Sequence, residues 1–138
     1  MRRVRSRLQR LREISGEERV LLLRAALVVL LVRVALLCAG VRAAKRLGLL
    51  TAGRTRRYSV DRMAWAVAVV GAYVPGMRCL SQALALEAML ARAGHSCRVE
   101  LGVVKDLAFQ AHAWVVAGDR IVLGGTDLER YCPIGSLD

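Results

Sequence analysis

The stretch that begins at Arg78 and reaches Trp114 changes its hydrophobic period from that of a helix to that of strands. Its first part reads RCLSQALALEAMLARAG, where apolar residues recur at helical spacing and Gly94 stands where a left-handed residue ends a helix. Its second part reads CRVELGVVK, which alternates as a half-buried strand does. After a short loop, QAHAWVV is rich in β-branched and aromatic residues. The stretch therefore predicts a helix followed by two strands.

This stretch carries a cysteine at the start of its helix and a histidine inside its last strand. Unpaired N–H groups and the positive end of the helix dipole would favour a thiolate at Cys79 and could hold an oxyanion. A strand that returns across the helix can bring His112 to that end. His95 cannot serve, because it follows the far end of a helix of about 22 Å. Cys79 and His112 are thus a candidate nucleophile and base; the alternative for Cys79 is a buried thiol that acts as a small hydrophobe.

A catalytic imidazole usually has an orienting carboxylate or amide. Ala117-Gly118-Asp119 predicts a hairpin turn, so that a residue in the range 123–125 would lie opposite His112. Asp119 is then too remote, at the turn. The nearest carboxylate is Asp127, whose alternative role is that of an exposed loop or helix-cap residue.

The chain before this stretch is apolar and basic. Residues 2–14 predict a basic helix, and Ser15 and Glu18 match a capping box. We predict one long helix from Val20 to about Leu47. Three arginines interrupt it and leave no charge-free run near the ~20 residues that a bilayer requires, so we interpret it as a helix packed on the domain. These arginines are Arg24, Arg33 and Arg42.

The charge of the chain is concentrated in its first half. Residues 1–62 hold 16 Lys and Arg against 4 Asp and Glu, whereas residues 63–138 hold 6 against 7. The basic half suits a membrane surface or an acidic partner. It holds one aromatic residue, Tyr58, and no recognised binding motif, which argues against nucleic acid.

The four cysteines form no CxxC pair, which argues against a zinc ribbon or a thioredoxin-type motif. We therefore predict no metal and no cofactor. We expect free thiols and a cytoplasmic protein, with association at a membrane left open. Cys38, Cys97 and Cys132 are interpreted as small buried hydrophobes.

A small, polar and basic linker, TAGRTRR, occupies residues 51–57. It predicts two parts: a basic and apolar helical region at 1–57 and a second domain at 58–138. The second domain begins with a predicted helix over Tyr58–Val70 and a turn, GAYVPGM, before Cys79.

At these residues the sequence resembles a known family. The pattern RCL…AL.LE.ML…G…RV.LGV.KD…AHAWV…G…VLGG is similar to that of the transglutaminase-like cysteine peptidases of lasso-peptide biosynthesis. These enzymes remove the leader from a ribosomally made precursor before a separate ATP-dependent cyclase closes the ring. The resemblance covers Tyr73 to about Pro133, and the basic N-terminal half fits the stand-alone form, which lacks a leader-recognition domain.

The resemblance implies a fold, an activity and partners. The fold is α+β: N-terminal helices, then a papain- or transglutaminase-like unit in which the Cys79 helix packs on an antiparallel sheet of about three strands. The activity is that of a leader peptidase. The partners are the precursor peptide with its leader and core, a separate leader-recognition protein and the ATP-dependent lasso macrocyclase.

Carried over residue by residue, the nucleophile of the family falls on Cys79 and its base on His112. Its acidic residue falls on Gly124, which has no carboxylate. Either Asp127 substitutes, or a dyad suffices with a backbone carbonyl or another side chain orienting His112. The thiolate would form a thioester, and backbone N–H groups near Cys79, aided by Gln82, would hold the oxyanion.

Two residues and two other functions complete the hypothesis. Trp114 and Tyr73 are candidates to line the site. The alternative is that both belong to the hydrophobic core. A transglutaminase-like transferase, in which an amine resolves the thioester, would use the same residues. The other alternative is a non-catalytic protein whose basic half binds a membrane surface or a partner.

Overall fold

Helices come first and strands last in the part of the chain that the structure describes. The structure is a computed structural model, and it describes residues 14–53, 58–73, 79–104, 110–125 and 131–137. Its helices are α1 (Gly16–Ala39), α2 (Val41–Thr51), α3 (Val60–Tyr73) and α4 (Cys79–Ala93). Its strands are β1 (Cys97–Val104), β2 (Gln110–Ala117), β3 (Arg120–Leu123) and β4 (Cys132–Leu137). The predicted α+β class is confirmed.

The first helix begins where the sequence predicts and ends earlier. The Ser15 hydroxyl accepts from the Glu18 N–H at 3.3 Å, and the Glu18 carboxylate accepts from the Ser15 N–H at 3.2 Å, which confirms the capping box. The prediction of one helix to Leu47 is wrong. Gly40 adopts a φ of +87°, which side chains disfavour, and there the chain leaves α1 and starts α2.

Other predicted boundaries shift by a few residues. α3 spans Val60–Tyr73 where Tyr58–Val70 was expected, so that the first residues of the predicted turn are still helical. Thr51, the first residue of the predicted linker, closes α2. The predicted basic helix at 2–14, apart from Ile14, and the boundary at residue 57 lie outside the described residues and stay predictions.

One hydrophobic core joins the helices to the sheet. α4 packs against α1, α2, α3, β1 and β2. The contribution of α1 is a stripe of six small and branched residues: Leu21, Ala25, Val28, Val29, Val32 and Ala35. Within the described residues, α1 is the one helix long and apolar enough to cross a membrane, and a third of its most apolar window is buried against the rest of the protein. A core helix and a signal sequence share that composition, so it does not by itself indicate a span.

The turn after α4 is fixed by backbone geometry. Gly94 has a φ of +88°, its N–H donates to Ala91 at 3.1 Å, and the His95 N–H donates to Leu90 at 2.9 Å. This is the Schellman arrangement that ends helices at glycine. The predicted C-cap is confirmed, and His95 lies at the end of α4 remote from Cys79.

The sheet is antiparallel, with strand order β3-β2-β1-β4. The turn between β2 and β3 is the predicted hairpin at Gly118 and Asp119, with Ala117 paired to Arg120. The sequence predicts about three strands; β4 is a further one at the outer edge of β1. Its sequence, CPIGSL, is mostly exposed and lacks alternation, and the Lys45 Nζ donates to its Leu137 carbonyl at 3.0 Å.

Alternation along β2 gives the sheet two different faces. Ala113 and Val115 belong to the helix-side core, together with Val99 of β1. His112 and Trp114 alternate with them and therefore point to the other face. The Trp114 ring lies over Gly102, the residue paired with His112.

At Gly48, α2 lies close to both α1 and α4. A Cβ there would lie 3.1 Å from the Ala88 Cβ and 3.1 Å from the Val32 Cγ2. We expect Gly48→Ile to lower the free energy of unfolding by about 1–3 kcal/mol through overpacking. Gly16→Ile is the matched control, because no atom lies within 4 Å of a Cβ added at Gly16. Urea unfolding followed by circular dichroism measures both, and an unchanged stability of Gly48→Ile would contradict this packing.

Candidate active site

The imidazole of His112 is held by a backbone carbonyl. Its Nε2 lies 2.7 Å from the carbonyl oxygen of Gly124, just past the end of β3. A carbonyl oxygen only accepts, so Nε2 carries the proton and donates. In the neutral ring the lone pair is then on Nδ1, the nitrogen that could act as a base.

Gly124 can hold this place because it has no side chain. Its φ is +77°, and a Cβ would lie 2.9 Å from the Ala113 carbonyl oxygen and 3.2 Å from the Trp114 Cα. An acidic side chain at this position would meet backbone atoms. Gly124, the position on which the resemblance places an acidic residue, therefore contacts the histidine through its main chain, one of the alternatives drawn from the sequence.

Two aromatic rings lie beside the half-buried imidazole of His112. The ring centroid of Tyr131 lies 5.0 Å from that of His112, and that of Trp114 lies 6.1 Å away, with tilted planes. Sequence reasoning did not identify Tyr131, because it follows a segment without periodicity. Tyr73, a candidate to line the site, is exposed at the end of α3.

The Trp114 indole is fixed by a carboxylate of the neighbouring strand. Its Nε1 donates to Glu100 at 2.8 Å, and Arg98 donates to the other oxygen of Glu100 at 2.7 Å. The hydrogen bond from Arg98 is the main cause that lowers the pKa of Glu100 below its ordinary value, and the bond from Trp114 acts in the same direction. Trp114 is buried, so the ring forms a fixed wall beside the imidazole.

Cys79 is the first residue of α4, as predicted, and is partly buried against the helix-side core. The first N–H groups of a helix have no partner within the helix, so those near the thiol are candidate donors to an oxyanion. Gln82, predicted to aid the oxyanion, lies one turn further on. Its carboxamide packs against Gly71 of α3, where a Cβ would overlap it.

The structure leaves the Cys79–His112 pair as a prediction. Between these two side chains no hydrogen bond is present in the described residues, and His112 lies on the face of β2 away from its core residues. Catalytic hydrogen bonds are often long before substrate binds. Asp127 lies outside the described residues, and its role also stays a prediction.

Comparison with known proteins places this fold in a family. A family model described as the transglutaminase-like superfamily matches residues 19–136. The chain belongs to the transglutaminase-like superfamily. This domain indicates a cysteine-protease-like or acyltransferase-type fold, the class to which the predicted thiol chemistry belongs. No match was found among curated proteins or among solved structures.

The other cysteines of this transglutaminase-like chain differ in exposure. Cys97 is partly buried, and its Sγ lies 3.8 Å from the Glu87 carbonyl oxygen. Cys38 and Cys132 are exposed, so their interpretation as buried hydrophobes is wrong: Cys38 is on the outer face of α1 and Cys132 is on the edge strand. Within the described ranges, no three His, Cys, Asp or Glu side chains gather as metal ligands would.

The Cys97 thiol should be slow to alkylate. Burial, and next the Glu87 carboxylate, raise its pKa to about 11, while Lys45 opposes them. Because the thiolate is the reactive form, we expect the iodoacetamide rate at Cys97 to rise about tenfold per pH unit from pH 7 to about pH 10. Glu87→Gln removes the carboxylate and should raise the rate at a fixed pH. Peptide mass spectrometry resolves each cysteine, and a plateau below about pH 9 would refute the raised pKa.

Proposed function

We propose that this transglutaminase-like chain is a cysteine peptidase that removes the leader from a ribosomally made lasso-peptide precursor. The observation that carries the proposal is the Nε2–Gly124 hydrogen bond, because it leaves the lone pair of the neutral ring on Nδ1, which can then act as a general base. The superfamily supplies the chemical class. The resemblance of the RCL and AHAW segments to lasso leader peptidases supplies the substrate class.

The first half of the reaction forms a thioester. His112 Nδ1 accepts the Cys79 proton, and the thiolate attacks the carbonyl carbon of the peptide bond between leader and core. N–H groups in the first turn of α4 stabilise the oxyanion. The tetrahedral intermediate collapses, the C–N bond breaks, and the imidazolium gives its proton to the leaving amine of the core. The leader is then bound to Cys79 as a thioester.

The second half restores the enzyme. His112 Nδ1 takes a proton from water as the water oxygen attacks the thioester carbonyl carbon. The C–S bond breaks, the thiolate recovers a proton from the imidazolium, and the leader departs as a carboxylic acid. Throughout both halves the Gly124 carbonyl keeps accepting from Nε2–H, and it stabilises the imidazolium as it forms.

The partners follow from the substrate. A separate leader-recognition protein would present the precursor, and an ATP-dependent macrocyclase would use the freed amine of the core. We propose that the reaction takes place in the cytoplasm. Contact of the protein with a membrane surface is compatible with this proposal. The basic first half, with 16 Lys and Arg in residues 1–62, would favour an acidic leader or partner.

The direct test is mass spectrometry of a precursor peptide incubated with the protein and its leader-recognition partner. We expect one cut at the leader–core junction, lost on Cys79→Ala and reduced at least about 10²-fold on His112→Ala, the range of general-base catalysis. Asp127→Ala run beside them decides whether a carboxylate also takes part.

Each other result has a definite meaning. Cleavage that survives Cys79→Ala contradicts the thioester mechanism. A leader product whose mass shows an added amine in place of water establishes the transferase alternative. A precursor that stays intact with every partner present overturns the peptidase proposal and favours the non-catalytic alternative.

The role of Gly124 has its own test. Gly124→Ala would push its carbonyl away from His112, and we expect kcat of the cleavage to fall at least tenfold. Gly118→Ala is the matched control, since Gly118 also has a positive φ, +62°, but open space around it. Both variants carry a similar backbone strain of about 1 kcal/mol. Equal kcat values for the two variants would show that the carbonyl does not orient the base.

A further inference from the structure

The outer face of α1 is an exposed aliphatic ridge. Six large side chains of the helix are between 47% and 77% exposed: Val20, Leu23, Leu27, Leu30, Val34 and Leu37. We call these six residues the α1 ridge. The opposite face of α1 is fixed in the core, so the helix cannot rotate to bury them. Large contiguous apolar surface of this kind usually marks a contact site.

The spacing of the α1 ridge is that of a coiled-coil seam. Its members alternate in steps of three and four residues over the whole ridge. In heptad terms, the a positions are Val20, Leu27 and Val34, and the d positions are Leu23, Leu30 and Leu37. β-Branched residues at a with leucine at d favour a two-stranded pairing, and two of the three a positions, Val20 and Val34, are β-branched. The ridge is therefore shaped to receive one more helix along its length.

From residue 19 to residue 38, the charged residues beside the α1 ridge are all arginines. Arg19 and Arg33 fall at g positions, and Arg24 falls at an e position. Arg24 lies against Gly53 of the same chain. Neither Arg19 nor Arg33 forms an ion pair with any residue that the structure describes. Because e and g residues select the partner of a coiled coil, acidic residues should lie opposite them.

We propose that the α1 ridge binds a partner helix that carries a Leu/Val heptad stripe flanked by Asp or Glu. A second copy of this chain fits poorly, since arginines would face arginines. Residues 1–13 fit poorly for the same reason, with six arginines and one glutamate. Interfacial membrane helices present a strongly charged face opposite their apolar face, whereas the face of α1 opposite the ridge is apolar and lies in the core.

The test uses the full chain and two labelled synthetic peptides of three heptads. Both have Leu and Val at a and d; one has Glu and the other Lys at e and g. By fluorescence anisotropy we expect the Glu peptide to bind at least tenfold more tightly than the Lys peptide. Leu30→Glu should weaken this binding at least tenfold. Ile134→Glu is the control, because Ile134 is 63% exposed on β4, a strand that pairs with β1 and is not part of the α1 ridge.

A charge-swap variant separates a lost surface from a misfolded protein. Arg19→Glu combined with Arg33→Glu should reverse the preference toward the Lys peptide, a result that unfolding cannot produce. Three outcomes would overturn the proposal: neither peptide binds; phosphatidylglycerol vesicles bind the chain through Leu30 while the peptides do not; or sedimentation shows a dimer that Leu30→Glu dissociates. The last two would assign the ridge to a membrane or to a second copy.

Discussion

The burial of α4 is the constraint on which the fold depends. Most of its fifteen residues are apolar or small, and eight of them are buried. A helix that is hydrophobic on nearly every side must be covered on nearly every side. α1, α2 and α3 cover it together with β1 and β2, and Gly48 lets α2 approach to contact distance. The position of Cys79 follows, since the end of a buried helix is placed by the elements around it.

The sequence predicted those parts of the fold that local chemistry determines. The cap at Ser15, the helix from Cys79 to Gly94 and the β2–β3 hairpin each rest on a periodicity bounded by a residue with a defined backbone role. The break at Gly40 was missed because apolar residues continue across it without a change of period. β4 was missed because an exposed edge strand with Pro and Gly needs no alternation, only an unpaired neighbour.

In the candidate site, too, some features can be predicted from local sequence and others cannot. Cys79 and His112 can be selected from the sequence because their elements have strong patterns. The contact between His112 and the Gly124 carbonyl involves a main-chain atom, which every residue has and no motif records. Tyr131 reaches the imidazole from beyond β3, so only the folded chain brings the two rings together. The sequence thus selects a candidate thiol and a candidate imidazole, whereas the contacts of His112 are visible only in the folded chain.

A carbonyl in place of a carboxylate also changes how the site responds to acid. A carboxylate that orients an imidazole loses its charge as it takes up a proton, and the histidine is then released. The peptide carbonyl of Gly124 takes up no proton at the pH at which a carboxylate does. It can therefore keep accepting the hydrogen bond from Nε2–H as the medium acidifies. It adds no net negative charge beside the ring, and its hold on the imidazole therefore depends on distance and direction rather than on the ionisation of a neighbour.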